Sequence, residues 1–335
     1  MNRASVTLLA SLACLLWTPQ AGASSGITPF HTSNRSPVVQ VFGLPAVGDS
    51  RVLRDGDREA ALVLDVANHF VDGSAGNEHL VLDGETYRLN LAGRMGVGSR
   101  FEIGFEVPWL FQNGGILDGF IETYHRTFGF SQRGRDEAPT GRYLYRYERG
   151  GADAFFVDRA NSGIGDVRLA GGLQLYDSPG DHPRALALRA SLKLPTGDGG
   201  DLRGSGSTDL ALWLAVSQGW KTGIGAWELF GGAGLLGMTD GDVLPEQQRN
   251  LVAFGSAGAG WRPLQWLTLK VQFDGHTSFY RDSDLAELGS DSVQAVMGGT
   301  LHFSERTALD IGVAEDVIIK TSPDVVFHFA LRHRF

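Results

Sequence analysis

Leu267, Leu269, Val271 and Phe273 alternate with Thr268, Lys270, Gln272 and Asp274. This period of two, carried by many long segments, constrains the fold more than any other feature of the chain. Successive side chains of a strand point to opposite faces, so each such segment has one apolar face and one polar or charged face. The pattern recurs at 60–70, 85–97, 100–109, 164–176, 184–194, 207–219, 224–236, 249–261, 266–279, 291–303, 307–317 and the last residues of the chain. It is less clean, with more Gly and Ala, in 60–70, 207–219, 224–236 and 249–261. Strands of soluble proteins average about five or six residues. A tilted strand needs about 9–11 residues to cross a hydrocarbon layer, and these segments have that length. A soluble sandwich rarely sustains such alternation with charges on its inner face.

The connections alternate too. Gly98-Ser99, Trp220 to Gly223, Arg262 to Gln265 and Ser304 to Thr307 are short, whereas Thr196 to Gly206, Gly237 to Gln248 and Arg281 to Ser290 are long and polar. Barrels of the outer membrane have short periplasmic turns and longer external loops. With Phe335 on the periplasmic side, stepping back strand by strand puts every long connection outside. In lipid every backbone N–H and C=O must be paired, so the sheet must close. The expected fold is therefore all-β, a closed antiparallel transmembrane β-barrel spanning 59–335.

The strand count is 12 or 14. Between the third and fourth segments lies a long external insertion, 110–163. There Ile116, Phe120, Tyr124 and Phe128 recur every four residues, as on one face of a short amphipathic helix. "RYLYRYERGGADAFFVD" then reads as a hairpin turning at Gly150-Gly151. Its arms are short and its second arm is irregular, which favours a hairpin above the rim and 12 strands in the ring; a membrane-crossing hairpin would make 14. The helix is a candidate lid.

Residues 1–23 have the form of a cleaved signal peptide: Arg3, an apolar run from Val6 to Trp17, and Ala21-Gly22-Ala23. The sole cysteine, Cys14, lies within it, so the exported chain is expected to hold no disulfide and no cysteine-bound metal. A formal charge of -9 argues against a nucleic-acid partner. Residues 24–58 have apolar groups without a period, together with Pro37 and Pro45. They form either a loose periplasmic tail or a plug inside the barrel, because Val39, Val41, Phe42 and Leu44 need cover from water.

Several stretches carry resemblances. Phe327, Phe329, Leu331 and the terminal Phe335 resemble the assembly signal of Gram-negative outer-membrane proteins, with His333 where that pattern usually has an apolar residue. This implies recognition by the barrel-assembly machinery, and contact with outer-membrane lipid and lipopolysaccharide. "FGLPAVGD", "LDGETYRLNL" and "GGILDGF" are similar to a Gram-negative family catalogued as a domain of unknown function, which implies a barrel in the outer membrane and supplies no activity. The stretch from about 162 to 216, with "SGIGDVRLAGGLQLY" and "LALRASLKLPTGD", resembles the outer-membrane family of the meta pathway of phenol degradation. That family is thought to consist of transporters.

Parity places Asp65, Glu102, Glu106, Asp166, Glu228, Asp274 and Asp310 on the inner face, with Arg88, Arg94, Arg168, Arg189, Lys193, Lys270, Arg332 and Arg334. Buried charge must be paired or hydrated. The set forms either a network that fills and stiffens the lumen or a narrow polar path without strong preference for charge sign. His276 shares that face with Asp274 and Ser278. A hydrolytic constellation needs these in contact, but residues two apart on a strand are about 7 Å apart, and a hydrated histidine is the simpler account. Asp198, Asp201 and Asp209 lie among glycines without the alternate ligands or closing Glu of a calcium loop. No cofactor or metal is expected. The functional expectation is a channel or passive transporter for a small-molecule solute, with an outer-membrane hydrolase or a purely structural or surface-contact barrel as alternatives.

Overall fold

The computed structural model describes residues 26–117, 119, 139, 141–317 and 321–335. The signal-peptide segment 1–23 and the candidate lid residues Phe120, Tyr124 and Phe128 lie outside these. The strands are β1 (Arg58–Ala75), β2 (Glu78–Val97), β3 (Phe101–Asn113), β4 (Leu144–Arg149), β5 (Ala152–Val157), β6 (Asn161–Ile164), β7 (Arg168–Ser178) and β8 (Arg184–Lys193). They continue as β9 (Asp209–Thr222), β10 (Gly225–Met238), β11 (Leu251–Leu264), β12 (Leu267–His276), β13 (Ser292–His302), β14 (Thr307–Asp316) and β15 (Val325–Arg334).

A closed antiparallel barrel of 12 strands results, formed by β1–β3 and β7–β15. Closure is made by β1 and β15, with Leu62 opposite Leu331 and Asp65 opposite His328. No sheet edge then faces lipid. The gap between β3 and β7 is filled in two steps. Glu102 pairs with Gly172 on β7, and Gln112 pairs with Asn161 on β6, so β6 continues the wall above β7. The insertion is therefore shorter at both ends than 110–163, because the ladder holds β3 to Asn113 and begins again at Asn161.

The β4–β5 hairpin stays out of the ring. β4 pairs with β2 over Leu144 to Arg149, opposite Asp83 to Glu78. That part of β2, and the part of β1 above Asn68, extend beyond the β1–β15 ladder. The four strands form an extra-long sheet standing over the rim, which leaves the ring at 12 rather than 14.

Parity sorts the wall. On β9, Leu210, Leu212, Leu214 and Val216 are exposed, while Asp209, Ala211, Trp213, Ala215 and Ser217 are buried. Phe101, Ile103, Phe105, Trp109, Leu269, Val271, Phe273, Met297 and Leu331 belong to the same outer apolar surface. Its exposure makes sense only with hydrocarbon against it.

The interior is not empty. Residues 26–57 pass through the lumen, rising along one side and returning along another. Ile27 N–H donates to Glu228 on β10 (2.8 Å), Phe30 N–H to Gln272 on β12 (2.8 Å), and Asn34 bonds Ser292 on β13 (3.3 Å). The chain reverses at Ser36–Phe42, where Val39 and Gln40 N–H donate to Ser36 O. It then descends past Asp209 on β9, Arg189 on β8 and Glu102 on β3, and bridges Gly96 through Asp55. Both ends of the segment thus lie at the end of the barrel where the chain closes with Phe335. Wall glycines accommodate it: a Cβ on Gly260 would stand 2.3 Å from Ile27, and one on Gly312 would stand 3.1 Å from the Phe30 ring.

At the opposite end, beneath the long connections, the reversal is packed in an apolar cluster. Val38, Val39 and Phe42 meet Leu80, Leu82, Tyr145, Tyr147, Leu244, Phe279 and Tyr280. Phe42 stacks on Phe279 with centroids 5.0 Å apart, and Tyr280 Oη donates to Val38 O (2.7 Å). Burial pushes the Tyr280 phenol well above its ordinary range, so it remains a donor.

Candidate functional site

The site is the lumen with its occupant, and it is ionic on three levels. Near the short-turn end, Arg94 pairs with Glu59 (2.8 Å) and faces Glu102 (3.5 Å), and Arg189 pairs with Glu102 (2.6 Å). Asp310 takes Lys270 (3.0 Å) and Arg332 (3.2 Å), and Arg334 reaches Glu59 (3.2 Å). Arg51 of the inner segment pairs with Glu228 (2.7 Å).

Halfway up, Asp65 is buried and receives two partners. Arg35 Nε of the inner segment donates to it at 2.6 Å, and His328 Nδ1 lies 2.7 Å away. Phe30 packs beside this group, edge-on to His328 at 5.8 Å, with Lys270 Nζ 4.0 Å above its ring. Lysine over an aromatic face is a favourable charge–quadrupole contact.

Highest up, Lys193 is buried between Asp166 (2.5 Å) and Asp209 (3.4 Å), and also reaches Ser205 Oγ (2.6 Å). This level grips the top of the inner segment. Asp209 accepts Gly43 N–H (2.6 Å), while Arg168 donates to Phe42 O and Leu44 O (both 3.2 Å). Charge-assisted hydrogen bonds are about twice as strong as neutral ones, and here they hold backbone groups that the segment cannot pair with itself.

Parity found the wall side of this network. Asp65, Arg88, Arg94, Glu102, Glu106, Asp166, Arg168, Arg189, Lys193, Glu228, Lys270, Asp274, His276, Asp310, Arg332 and Arg334 are all buried or half-buried in the interior. Glu59 and Asp209 belong to the same face and were missed, although Asp65 and Trp213 on their strands share their parity. The inner segment's His31, Arg35 and Arg51 have no periodic signal at all. Phe329, Leu331 and Phe335 are exposed on the outside, and the His333 ring stands edge-on to Phe335 at 4.8 Å.

His276, Asp274 and Ser278 are not brought together. His276 contacts Thr277 O through Nδ1 (3.0 Å) and Asn34 Nδ2 through Nε2 (2.9 Å). Ser278 Oγ donates to Tyr280 O (2.5 Å), and Asp274 accepts from Gln272 (2.9 Å). Of the candidate lid residues, Ile116 is 87% exposed.

Between the two legs of the inner segment and the wall formed by β1–β3, β7–β9, β14 and β15 a cavity of about 130 Å³ remains. Small inward side chains carve it: Ala61 faces Ala92, and Gly104 faces Ala170.

An apolar outer wall, a closed ladder and an ion-paired interior define a β-barrel of the outer-membrane kind. Residues 5–335 match the model of the family described as Protein of unknown function (DUF3187), and the chain belongs to that family. No curated protein matches the chain. Among solved structures it is similar to an outer membrane channel from Pseudomonas putida F1, with TM-score 0.53 and 13% identity over 86% of this chain and 98% of that one. A second similar structure is the translocator domain of the autotransporter NalP from Neisseria meningitidis, with TM-score 0.43 and 10% identity over 84% of this chain and 90% of that one. At these identities the likeness is one of fold.

Proposed function

We propose that the protein resides in the Gram-negative outer membrane and passes small polar solutes through its lumen when the inner segment 26–57 is displaced. The observation that carries this is how the segment is held. Below the apolar cluster it is held mainly by ion pairs and hydrogen bonds, such as Arg35–Asp65, Arg51–Glu228 and Leu53 N–H to Glu102 (2.8 Å), with Phe30 in a small apolar group with Ala67, Val296, Ala314 and Val326. Water can replace each of the polar contacts, so leaving costs less than unpacking a wholly apolar core of equal size. The wall keeps its own polar face after the segment leaves and would line a wet path. Acids and bases are interspersed along that path, which favours small solutes of either sign over strong selection.

A structural barrel is the second reading, favoured by the apolar cluster that closes the lumen beneath the long connections. The hydrolase alternative has no support in the positions of His276, Asp274 and Ser278. Planar-bilayer recording separates the first two. The full exported chain should show small, rare openings, and deletion of residues 27–54 should raise single-channel conductance at least tenfold. The deletion variant should also admit small sugars, amino acids and aromatic acids in liposome swelling. A variant that inserts with the same strand content and conducts nothing would remove the transport reading.

A further inference from the structure

Above the ring, one carboxylate holds three parts of the chain at once. Glu78 opens β2 on the overhanging sheet and is 4% exposed. Its Oε1 accepts from Tyr147 Oη on β4 and from Gln247 Nε2 (3.3 Å) in the β10–β11 connection. Its Oε2 accepts from Ser283 Oγ (3.0 Å) and from Asp284 N–H (2.8 Å), both in the β12–β13 connection. Arg149 Nε of β4 stands 3.7 Å away as a counter-charge. Hydrogen bonds to an ionised acceptor are about twice as strong as neutral ones, and donors left there without the acceptor carry their desolvation cost.

The groups it joins belong to two bodies. The two connections are tied to each other by backbone: Arg249 N–H donates to Phe279 O and Arg281 N–H to Gln247 O (both 2.8 Å), and Gln248 bridges Tyr280. The overhang is a continuous sheet of β1, β2, β4 and β5. The polar links between the bodies converge here: those at Glu78, the contact of the Tyr147 hydroxyl with Gln247 Oε1 (3.1 Å), and the exposed bond from Arg149 Nη2 to Asp282 O (2.8 Å). Below them the bodies share the apolar cluster over the tip of the inner segment, with Leu80 and Tyr147 on one side and Phe279, Leu285 and Leu288 on the other. Apolar contact has no direction of its own, so the register of one body on the other rests on Glu78.

We propose that Glu78 is the latch of an external roof: when its carboxylate lets go, the tied connections swing from the overhanging sheet as one body and uncover the tip of the inner segment from outside. Proteins open in cooperative units of this kind, and gathering the links on one side chain makes their release concerted. The inference adds a second closure to the transport reading, yet thiol labelling reports that closure whether or not any solute passes.

The probes are single thiols in the full exported chain with Cys14→Ala, placed in lipid vesicles and labelled with a polar maleimide. Leu285→Cys reports the roof, since Leu285 is 3% exposed. Ser50→Cys reports the lower lumen, since Ser50 is 3% exposed and bonds Ser217 on β9 (2.8 Å). Glu78→Ala should quicken labelling of Leu285→Cys at least tenfold and leave Ser50→Cys within about twofold of its parent. Tyr147→Phe with Ser283→Ala removes two donors and keeps the carboxylate. It should quicken Leu285→Cys at least threefold, and it keeps the test decisive should Glu78→Ala fail to fold. Unchanged labelling of Leu285→Cys in either variant would overturn the proposal. So would equal quickening of Ser50→Cys, because the inner segment rather than the roof would then have moved. A roof that opens without any solute passage in vesicles would leave the latch standing and remove the transport reading alone.

Discussion

Replacing Asp65 by Ala should release the inner segment. Asp65 is fully enclosed by protein and neutralises Arg35, whose Nε is 2.6 Å away, while His328 closes its other oxygen. Removing one member of a buried pair costs about 3–5 kcal/mol, because the other charge stays behind unpaired. Arg35 would be left 6% exposed with Arg88 nearby as a like charge. Only the state with the segment inside bears that cost, since Arg35 is hydrated once outside. At about 1.4 kcal/mol per tenfold, the ratio of inside to outside falls by roughly two to three and a half decades. A thiol at position 36 reads this out, because Ser36 is 4% exposed. Cys14 is the only cysteine in the sequence, so Cys14→Ala with Ser36→Cys carries one thiol. In vesicles, its reaction with a polar maleimide should quicken at least a hundredfold in Asp65→Ala. The double substitution Asp65→Asn with Arg35→Gln removes both charges and should restore slow labelling to within a few-fold. Slow labelling in Asp65→Ala, or fast labelling in the double variant, would refute the reasoning.

Two further outcomes test the wall. Leu214→Arg places a charge on the outer face midway along β9, where Leu214 is 46% exposed, and should cost about 2–4 kcal/mol in urea unfolding from lipid vesicles. Leu210→Arg, at the end of the same strand, should cost about 0–1 kcal/mol. Deleting Phe335 removes the exposed terminal aromatic and its N–H bond to Arg58 O (2.8 Å), and should slow assembly; the folded fraction on unheated gels after a pulse of synthesis measures it.

The wall was legible because parity is local. Leu267 to Asp274 declare two faces without reference to any partner, and the strands begin and end within a few residues of their segments, apart from the overhang that carries β1 to Ala75 and starts β2 at Glu78. The choice between 12 and 14 was not fully legible, because a hairpin joins the ring or leaves it according to the edge it finds. Here β4 finds the overhang of β2, with Asp83 opposite Leu144 and Glu78 opposite Arg149, a pairing that no local pattern announces. The alternation is less clean, with more Gly and Ala, in 224–236 and 249–261. The occupant accounts for part of it, since Gly260 leaves room for Ile27 and Gly232 for Val47, while Gly231, Gly234 and Gly258 meet the neighbouring wall strands. Arg35, Arg51 and Asn34 could not be assigned to the site from the sequence. They sit in an aperiodic stretch, and Asn34 meets a partner 242 residues away in His276.

The course of residues 26–57 also bears on how the molecule comes to be. Because the stretch goes up and comes back to where it started, it is never threaded through the ring, and no knot forbids its entry or exit after β1 and β15 have met. The cylinder can therefore be finished first and filled afterwards, and the same route can be travelled in reverse without unzipping a single rung of the wall.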